Sequence, residues 1–551
     1  MALAVALLFT IANRGAYKGY FSGDDLDNLS WTSNTGPGAF VKGVLSPQFF
    51  GNNFRPVGHF YFFALGRTAR LHFRPYVVLL ELFHLLNGFL LWWSVRKLGL
   101  NAWAGLAAVL FFLFHAATFD AYWQPMYIFD VLCGTFCLLS LISFMDGRWI
   151  LSLLCFWLAY KAKEVAVMLP MVLLAYEFLV GQRRWKPLVP FFGISLCFGL
   201  QAIFANAGAK GAYKLHLTPG SLAETFAFYV PYLFGVSAAL IAILLLLIFV
   251  RDRRFYFGII AMALLVIPML LLPGRLYTVY LYVPLIGAAI ALAAVANTRP
   301  KYVVPLFALA WLPYTYAQMR EYRKAALTAA DERRAYVEAL LSYAKAAPPT
   351  NAYIYDGIPP SLPEYGLSGA LYYVTRQPGL KLAWIGDNDA KNLLQEDSVA
   401  VLSWDQIFRK LLVTRRDPSA PLLPYVKIGP GMPIWQFREG WYPRENYYRW
   451  TQAIALASLQ CPPHARAFEL YVNMSPVALE TLHSVNVTVA IDGKTLGEHQ
   501  FTTAGWQKVN WPVQPGPSKP VEVKIRTEPT YHAENDPRTL GIAIGGFGYI
   551  E

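Results

Sequence analysis

Cysteine is scarce, with five among 551 residues: Cys133, Cys137, Cys155, Cys197 and Cys461. Four lie in apolar segments and read as small packing residues. Cys461 stands alone in the polar part of the chain, so no intrachain disulfide is expected there, and the lack of any CxxC pair argues against a cysteine metal centre. Charged residues are few as well, 15% of the chain, with 34 acidic against 47 basic, a net charge of +13. No basic face interleaved with aromatics occurs on a soluble module, which argues against nucleic acid as a partner. Basic loops held against anionic lipid account for the excess instead. Solenoid and propeller repeats are missing, as are the inverted repeats of many transporters. The first apolar stretch, residues 1–12, has no basic residues before it and no clear small-residue cleavage site after it. It is therefore expected to be a first transmembrane helix rather than a cleaved signal, although it is short against the roughly 20 residues a span needs.

Apolar residues are abundant, at 56%, and the mean hydropathy is +0.37. They are unevenly placed. Long apolar runs fill 77–317, whereas 318–551 has the composition of a soluble chain. Beyond residues 1–12, apolar segments near 77–95, 102–119, 127–145, 149–161, 164–180, 187–206, 228–250, 255–273, 277–297 and 301–317 predict a bundle of about eleven spans. With the N-terminus in the cytoplasm, the clusters at Arg96 and Lys97, Arg148, Arg183 to Lys186, Arg251 to Arg254, and Arg299 and Lys301 all fall on the cytoplasmic side. Loop 13–76 and the C-terminal region are then external. A bacterial inner membrane with a periplasmic C-terminal domain fits this topology.

Three domains follow: a membrane bundle over 1–317, an external helix and small α/β module over 318–435, and a β-sandwich over 436–551. Residues 318–345 read as a charged amphipathic helix. AYIYDGI and VAVLSW are short strands of the α/β module. FELYVNM, VNVTVAIDG, PVEVKIRTE and TLGIAIGGFGYI carry the strand patterns of the sandwich, with Asp492-Gly493 as one turn. Trp441, Tyr442, Glu445, Arg449 and Trp450 supply aromatic and charged groups there. Stacking on sugars is one use for such aromatics, and filling the sandwich core is the commoner one.

The strongest local signal for chemistry is Gly23-Asp24-Asp25-Leu26-Asp27, just after the first apolar stretch. Asp24 and Asp25 are suited to activating a hydroxyl, or to holding a divalent cation such as Mg or Mn. A solvated acidic turn or a helix cap is the ordinary alternative. Asp27 joins them only if the segment is helical. Arg55, in Phe54-Arg55-Pro56, follows in the loop. In the second span Glu81, His84 and Asn87 share one helix face, as functional groups or as interhelical glue. Asp120 and Gln124 lie in a short external loop, Asp130 begins the next span, and Lys163-Glu164 precedes Leu169-Pro170. Arg275 precedes Tyr280-Leu281-Tyr282-Val283-Pro284. Cations such as Lys163 and Arg275 are able to neutralise a lipid phosphate, although interfacial snorkelling is commoner for either alone.

This order of motifs resembles the large membrane-embedded glycosyltransferases of the GT-C fold: the Asp pair after span one, Arg-Pro in loop one, Phe83-His84 with Asn87 in span two, the Lys-Glu turn, and the Arg275 segment with its Tyr-Leu-Tyr-Val-Pro. Within that group it is most similar to the transmembrane O-mannosyltransferases and their bacterial relatives, over residues 1–317. The resemblance implies a polyprenyl-phosphate sugar donor, a hexosyl group with mannose among the candidates, and transfer on the external face to a glycan, lipid or protein acceptor. It also implies that Asp24 or Asp25 is the base or metal-associated carboxylate, that Lys163 and Glu164 lie near the donor, and that Arg275 contacts phosphate. No tetratricopeptide repeats follow, so protein O-mannosylation does not carry over. Two other classes remain. One is an O-antigen polymerase or ligase, which would use Lys210, Lys214 and His216 in loop 207–227; the other is a transporter or scaffold.

Overall fold

The computed structural model describes all residues except 1, 51–52, 207–210, 217, 235–249, 348–349, 378, 397 and 535. Most of the expected span near 228–250 and the candidate Lys210 lie outside the described residues. The chain packs as two units, Met1–Asp331 and Glu332–Glu551.

The first unit is a helical, membrane-embedded bundle. Among the described residues four helices are long and apolar enough to cross a bilayer: Phe73–Lys97, Pro125–Met145, Lys186–Ala205 and Arg253–Leu270. Three shorter apolar helices, Ala102–Leu113, Trp149–Ala162 and Pro284–Ala296, accompany them. Eleven spans therefore remains a sequence expectation. The outward surfaces carry exposed Leu82, Phe89, Leu154, Leu196 and Ile203, as suits a lipid-facing exterior. Lipid tails offer no hydrophobic drive between helices, so close approach and buried hydrogen bonds must hold them. Both devices occur. A Cβ on Gly258 would lie 2.5 Å from the Ala291 backbone nitrogen, and one on Gly287 would lie 2.4 Å from that of Met262. Arg253–Leu270 and the alanine-rich Pro284–Ala296 thus pack backbone to backbone. Ser140 and Ser152, on neighbouring helices, exchange hydroxyl-to-carbonyl bonds of 2.8 Å in both directions.

The segment expected as a plain loop, 13–76, folds into three helices before the Phe73–Lys97 span: Gly23–Ser33, Pro37–Leu45 and Pro56–Thr68. Two start with proline in the first turn, where its fixed φ suits the helix and its missing N–H costs nothing. They pack through rings rather than aliphatic runs: Phe54 against Trp31, Phe40 and Phe50, and His59 against Trp31 and Phe129.

The expected boundary at 317/318 falls inside one continuous helix, Pro300–Ala346. In the second unit a small α/β sheet is ordered β2-β1-β3-β4: β1 Ala352–Asp356, β2 Lys381–Trp384, β3 Val399–Asp405 and β4 Lys410–Arg415. β1 runs parallel to β2 and β3. The sandwich sets one sheet, β11-β10-β13-β8, against another, β12-β9-β14-β7-β6, with β5 on β14. Its strands are β5 Tyr425–Lys427, β6 Trp441–Glu445, β7 Tyr448–Thr451, β8 Ile454–Cys461, β9 Ala467–Met474, β10 Val485–Ile491, β11 Lys494–Phe501, β12 Gly505–Pro512, β13 Lys519–Glu528 and β14 Ala543–Ile550. β5 lies before residue 436, so the sandwich takes in chain from the preceding segment. The core is the alternate residues of facing strands: Val521, Val523 and Ile525 of β13 with Val487 and Val489 of β10, and Phe468, Leu470 and Val472 of β9. Each such side chain contributes roughly 1.5–3 kcal/mol on burial. Asp492 and Gly493, at φ 46° and 79°, close the β10–β11 hairpin in the double left-handed conformation that Asp-Gly favours.

Candidate active site

Asp24 and Asp25 open the Gly23–Ser33 helix, and the helix separates their roles. Ser22 is the N-cap. Its hydroxyl accepts from the Asp25 amide at 3.2 Å, and Asp25 Oδ2 accepts from the Ser22 amide at 2.7 Å and from its hydroxyl at 2.8 Å. This reciprocal capping box satisfies two backbone donors at the helix start. Asp25 is fully buried, Asp24 is half-buried and Asp27 is exposed. Successive helical side chains diverge by about 100°, so the two carboxylates do not face one another as a dyad. Asp27, three residues on, returns to the Asp24 side. Among the described residues no group of three or more His, Cys, Asp or Glu side chains converges as a metal-ion ligand set. Asp25 is committed to Ser22, and the positive end of a helix dipole disfavours a cation. A divalent ion at the Asp24-Asp25 pair therefore remains a sequence expectation.

The expected donor-side residues come from three separate segments. Arg55 precedes the Pro56–Thr68 helix, and its Nε lies 2.8 Å from Glu164 Oε1. Its guanidinium sits 5.4 Å from the Phe129 ring. Lys163 is extended, φ −161° and ψ 145°, between the Trp149–Ala162 helix and the 3-10 turn Glu164–Met168. This geometry turns Lys163 and Glu164 to different partners. Lys163 Nζ lies 2.6 Å from Asp130 Oδ1, both buried, and 4.6 Å from the centre of the Tyr280 ring. Tyr280 belongs to the 3-10 turn Thr278–Leu281, and its hydroxyl accepts from Arg275 Nε at 3.0 Å. The Arg55 guanidinium thus lies against the sequence neighbour of Asp130, which brings the two ion pairs together.

Tyr127 closes the 3-10 turn Pro125–Tyr127, between Asp120 and Asp130 in sequence. Sequence reasoning passed over Tyr127 and did not rank Asp130 or Tyr280. The signal available for Tyr280 was its place in the Tyr-Leu-Tyr-Val-Pro segment. Lys161 was also left out of the candidate set. It lines a small pocket with Gln48, Phe50, Phe54, Arg55 and Glu164. Its ammonium donates to the Gln48 carbonyl at 3.1 Å and lies 5.0–5.3 Å from the rings of Phe50, Trp157 and Phe198.

The supporting residues are placed as braces. Glu81, His84 and Asn87 are all buried on one face of Phe73–Lys97. His84 bonds the Tyr282 hydroxyl at 2.7 Å and the Leu113 carbonyl at 3.2 Å. Asn87 donates to the Val131 carbonyl at 2.8 Å and the Tyr282 hydroxyl at 3.0 Å, and accepts from Thr135 at 2.6 Å. These bonds fix Tyr282, two residues beyond Tyr280. Glu81 accepts from the Tyr17 hydroxyl at 2.6 Å. Gln124 donates to Asp120 at 2.9 Å across its own turn. Lys214 is exposed and His216 half-buried; the His216 amide donates to the Leu271 carbonyl at 3.0 Å.

No family model matches this chain, and no curated protein does. Solved structures similar to it include ArnT from Cupriavidus metallidurans in the apo state, at 12% identity and TM-score 0.42, covering 74% of this chain and 94% of that one. ArnT bound to undecaprenyl phosphate gives 13% and 0.40, with 74% and 93% covered. The arabinosyltransferase EmbB from Mycobacterium smegmatis gives 12% and 0.36, covering 99% of this chain and 64% of that one. Scores this low establish neither fold nor activity.

Proposed function

We propose that this chain is a GT-C-type glycosyltransferase that moves a sugar from a polyprenyl-phosphate donor to an acceptor hydroxyl on the external face of the membrane. The observation that carries this is the clustering of the buried Lys163–Asp130 pair, the part-buried Arg55–Glu164 pair and Tyr280 with its bond from Arg275, all from segments far apart in sequence. The motif order of residues 1–317 supports it independently.

Each group then has a distinct task. Arg275, set by Tyr280, binds the donor phosphate. Lys163 is held by Asp130 and supports Tyr280 from below, while Arg55 is held by Glu164. Asp24 accepts the proton of the acceptor hydroxyl as its oxygen attacks the anomeric carbon. The anomeric carbon–phosphate oxygen bond breaks, its electron pair leaves with the polyprenyl phosphate, and Arg275 stabilises that charge. A single displacement inverts the anomeric centre. Asp25 fixes the helix start that places Asp24. No step needs a metal ion. A radiolabelled polyprenyl-phosphate sugar incubated with the purified protein and a mixture of glycan and lipid acceptors tests this. Label should move to an acceptor in the wild type and fail to move in Asp24→Asn; no transfer from mannosyl, glucosyl or arabinosyl donors would contradict it.

A further inference from the structure

The outer face of the β12-β9-β14-β7-β6 sheet departs from the rule that the solvent side of an antiparallel sheet is polar. Trp450 and Tyr448 of β7, Tyr471 of β9 and Trp506 of β12 all point away from the core. Their core-facing neighbours are Arg449, Thr451, Leu470 and Val472. The rings form a continuous row: Trp450 to Tyr448 at 6.4 Å, Tyr448 to Trp506 at 6.3 Å, and Trp506 stacked on Tyr471 at 4.7 Å. Trp506 is 45% exposed.

The row is possible because β14, which lies between β9 and β7, carries Gly545 and Gly546. A Cβ on Gly545 would lie 2.6 Å from Trp506 Cζ3 and 2.9 Å from Tyr471 Cδ1. The bulge at this position and the lack of side chains let Trp506 and Tyr471 lie over the strand, stacked with their planes 24° apart, while Tyr448 stands edge-on to Trp506 and Trp450, at 68° and 85°. Covering a glycine strand with one ring protects its hydrogen bonds, but that accounts for Trp506 and Tyr471 and not for Tyr448 and Trp450 beyond it. Carboxylates stand at both ends. Glu445 accepts from the Tyr448 hydroxyl at 2.9 Å. Glu469 accepts from Tyr425 at 2.8 Å and from Lys508 at 3.2 Å.

We infer that this face is a binding platform for a glycan chain several sugars long. A pyranose ring offers an apolar C–H face to stack on aromatic planes and hydroxyl donors at its edge for carboxylates, and the row supplies both. A protein or lipid partner would bring aliphatic bulk and has no need of flat rings bracketed by acids. The inference rests on the glycosyl-transfer reading for its biological sense, because it assigns the acceptor to the oligosaccharide class, but not for its test.

Full-length protein in detergent is titrated calorimetrically with mannohexaose, cellohexaose and maltohexaose, with glucose as a monosaccharide control. At least one hexasaccharide should bind, and bind more tightly than glucose. Trp506→Ala and Trp450→Ala should each weaken it about tenfold or more, while Trp506→Phe, which keeps a flat ring, retains most of the affinity. Absence of binding by all three hexasaccharides, equal affinity in Trp506→Ala with an unchanged Tm, or a change of oligomeric state in its place would overturn the platform. Binding without sugar transfer would leave the platform standing and remove the transferase reading; transfer without binding would do the reverse.

Discussion

The two units differ most in what they turn outward. In Met1–Asp331 the exterior is apolar, and buried polar groups, Lys163, Asp130, Glu81 and His84 among them, lie within the apolar core. In Glu332–Glu551 the core is valine, isoleucine and phenylalanine, a buried pair, Arg444 with Asp356 at 2.9 Å, is among its charges, and the anomaly is a row of aromatics on the outside. Each unit is informative where it breaks the rule of its own solvent. A charge inside a membrane bundle is expensive and therefore points to function; an apolar ring on the wet side of a sheet does the same. The predictions below try to break that symmetry, from the largest effect to the smallest.

The buried Lys163–Asp130 pair should be the most costly to break. Removing one partner strands a charge, which destabilises by about 3–5 kcal/mol, so Asp130→Ala should lower the detergent melting temperature more than any other change here. Recovery in an Asp130→Asn, Lys163→Gln double variant would show that pairing rather than shape is at stake. Equal melting of Asp130→Ala and wild type would remove the pair from the account.

Arg275 comes next. A charged hydrogen bond to phosphate is worth about 1.5–3 kcal/mol, so Arg275→Ala should raise the apparent donor dissociation constant roughly ten- to hundredfold with little change in melting. Tyr280→Phe, which removes only the hydroxyl that Arg275 bonds, should do the same more weakly. Donor saturation curves decide this, and unchanged curves in both variants would put the phosphate elsewhere. Asp25→Asn removes a negative charge from the helix start while Ser22 still caps it, and should cost about 0.3–1 kcal/mol, visible as slightly lower melting with a modest loss of rate.

The smallest effect is a pH dependence confined to the second unit. Burial pushes the Asp405 carboxyl up, but hydrogen bonds from Tyr447 and from the Phe408 and Ile407 amides, with the Arg444 charge, outweigh this and hold it below its ordinary value. A carboxyl depressed on folding stabilises fully above its unfolded pKa near 3.8 and loses that contribution as pH falls through the folded value. Acid melting of the wild type should therefore be steeper below about pH 4 than that of Asp405→Asn; parallel curves would deny the linkage.

The sandwich was legible because alternation is local. FELYVNM and PVEVKIRTE show their buried faces residue by residue, and Asp492-Gly493 names its own turn. The core role of Trp441 was legible only as the commoner alternative: it stacks on Phe547 at 5.3 Å and donates to the Leu456 carbonyl at 2.8 Å. The outer row was not visible. Trp506 and Tyr471 meet Tyr448 only through pairing across strands, and the glycines that permit it lie on a third strand. In the helical unit the inward face of Glu81, His84 and Asn87 followed from helical spacing. The three helices within 13–76 did not, because they are built on rings and proline starts instead of a long apolar run. The ion pairs join residues 33 and 109 positions apart, beyond any local pattern. Asp24 and Asp25 were seen as a pair because they are adjacent; the helix that begins beneath them ties one into the capping box with Ser22 and leaves the other half-buried.

That division is the central claim, and one comparison tests it: the rate of sugar transfer from a radiolabelled polyprenyl-phosphate donor by Asp24→Asn and Asp25→Asn, each normalised to its folded fraction. Asp24→Asn should melt as the wild type does and transfer about a hundredfold more slowly or worse, the scale of a lost general base, while Asp25→Asn keeps most of its rate per folded molecule. Wild-type transfer by Asp24→Asn, or the larger loss falling on a well-folded Asp25→Asn, would contradict it.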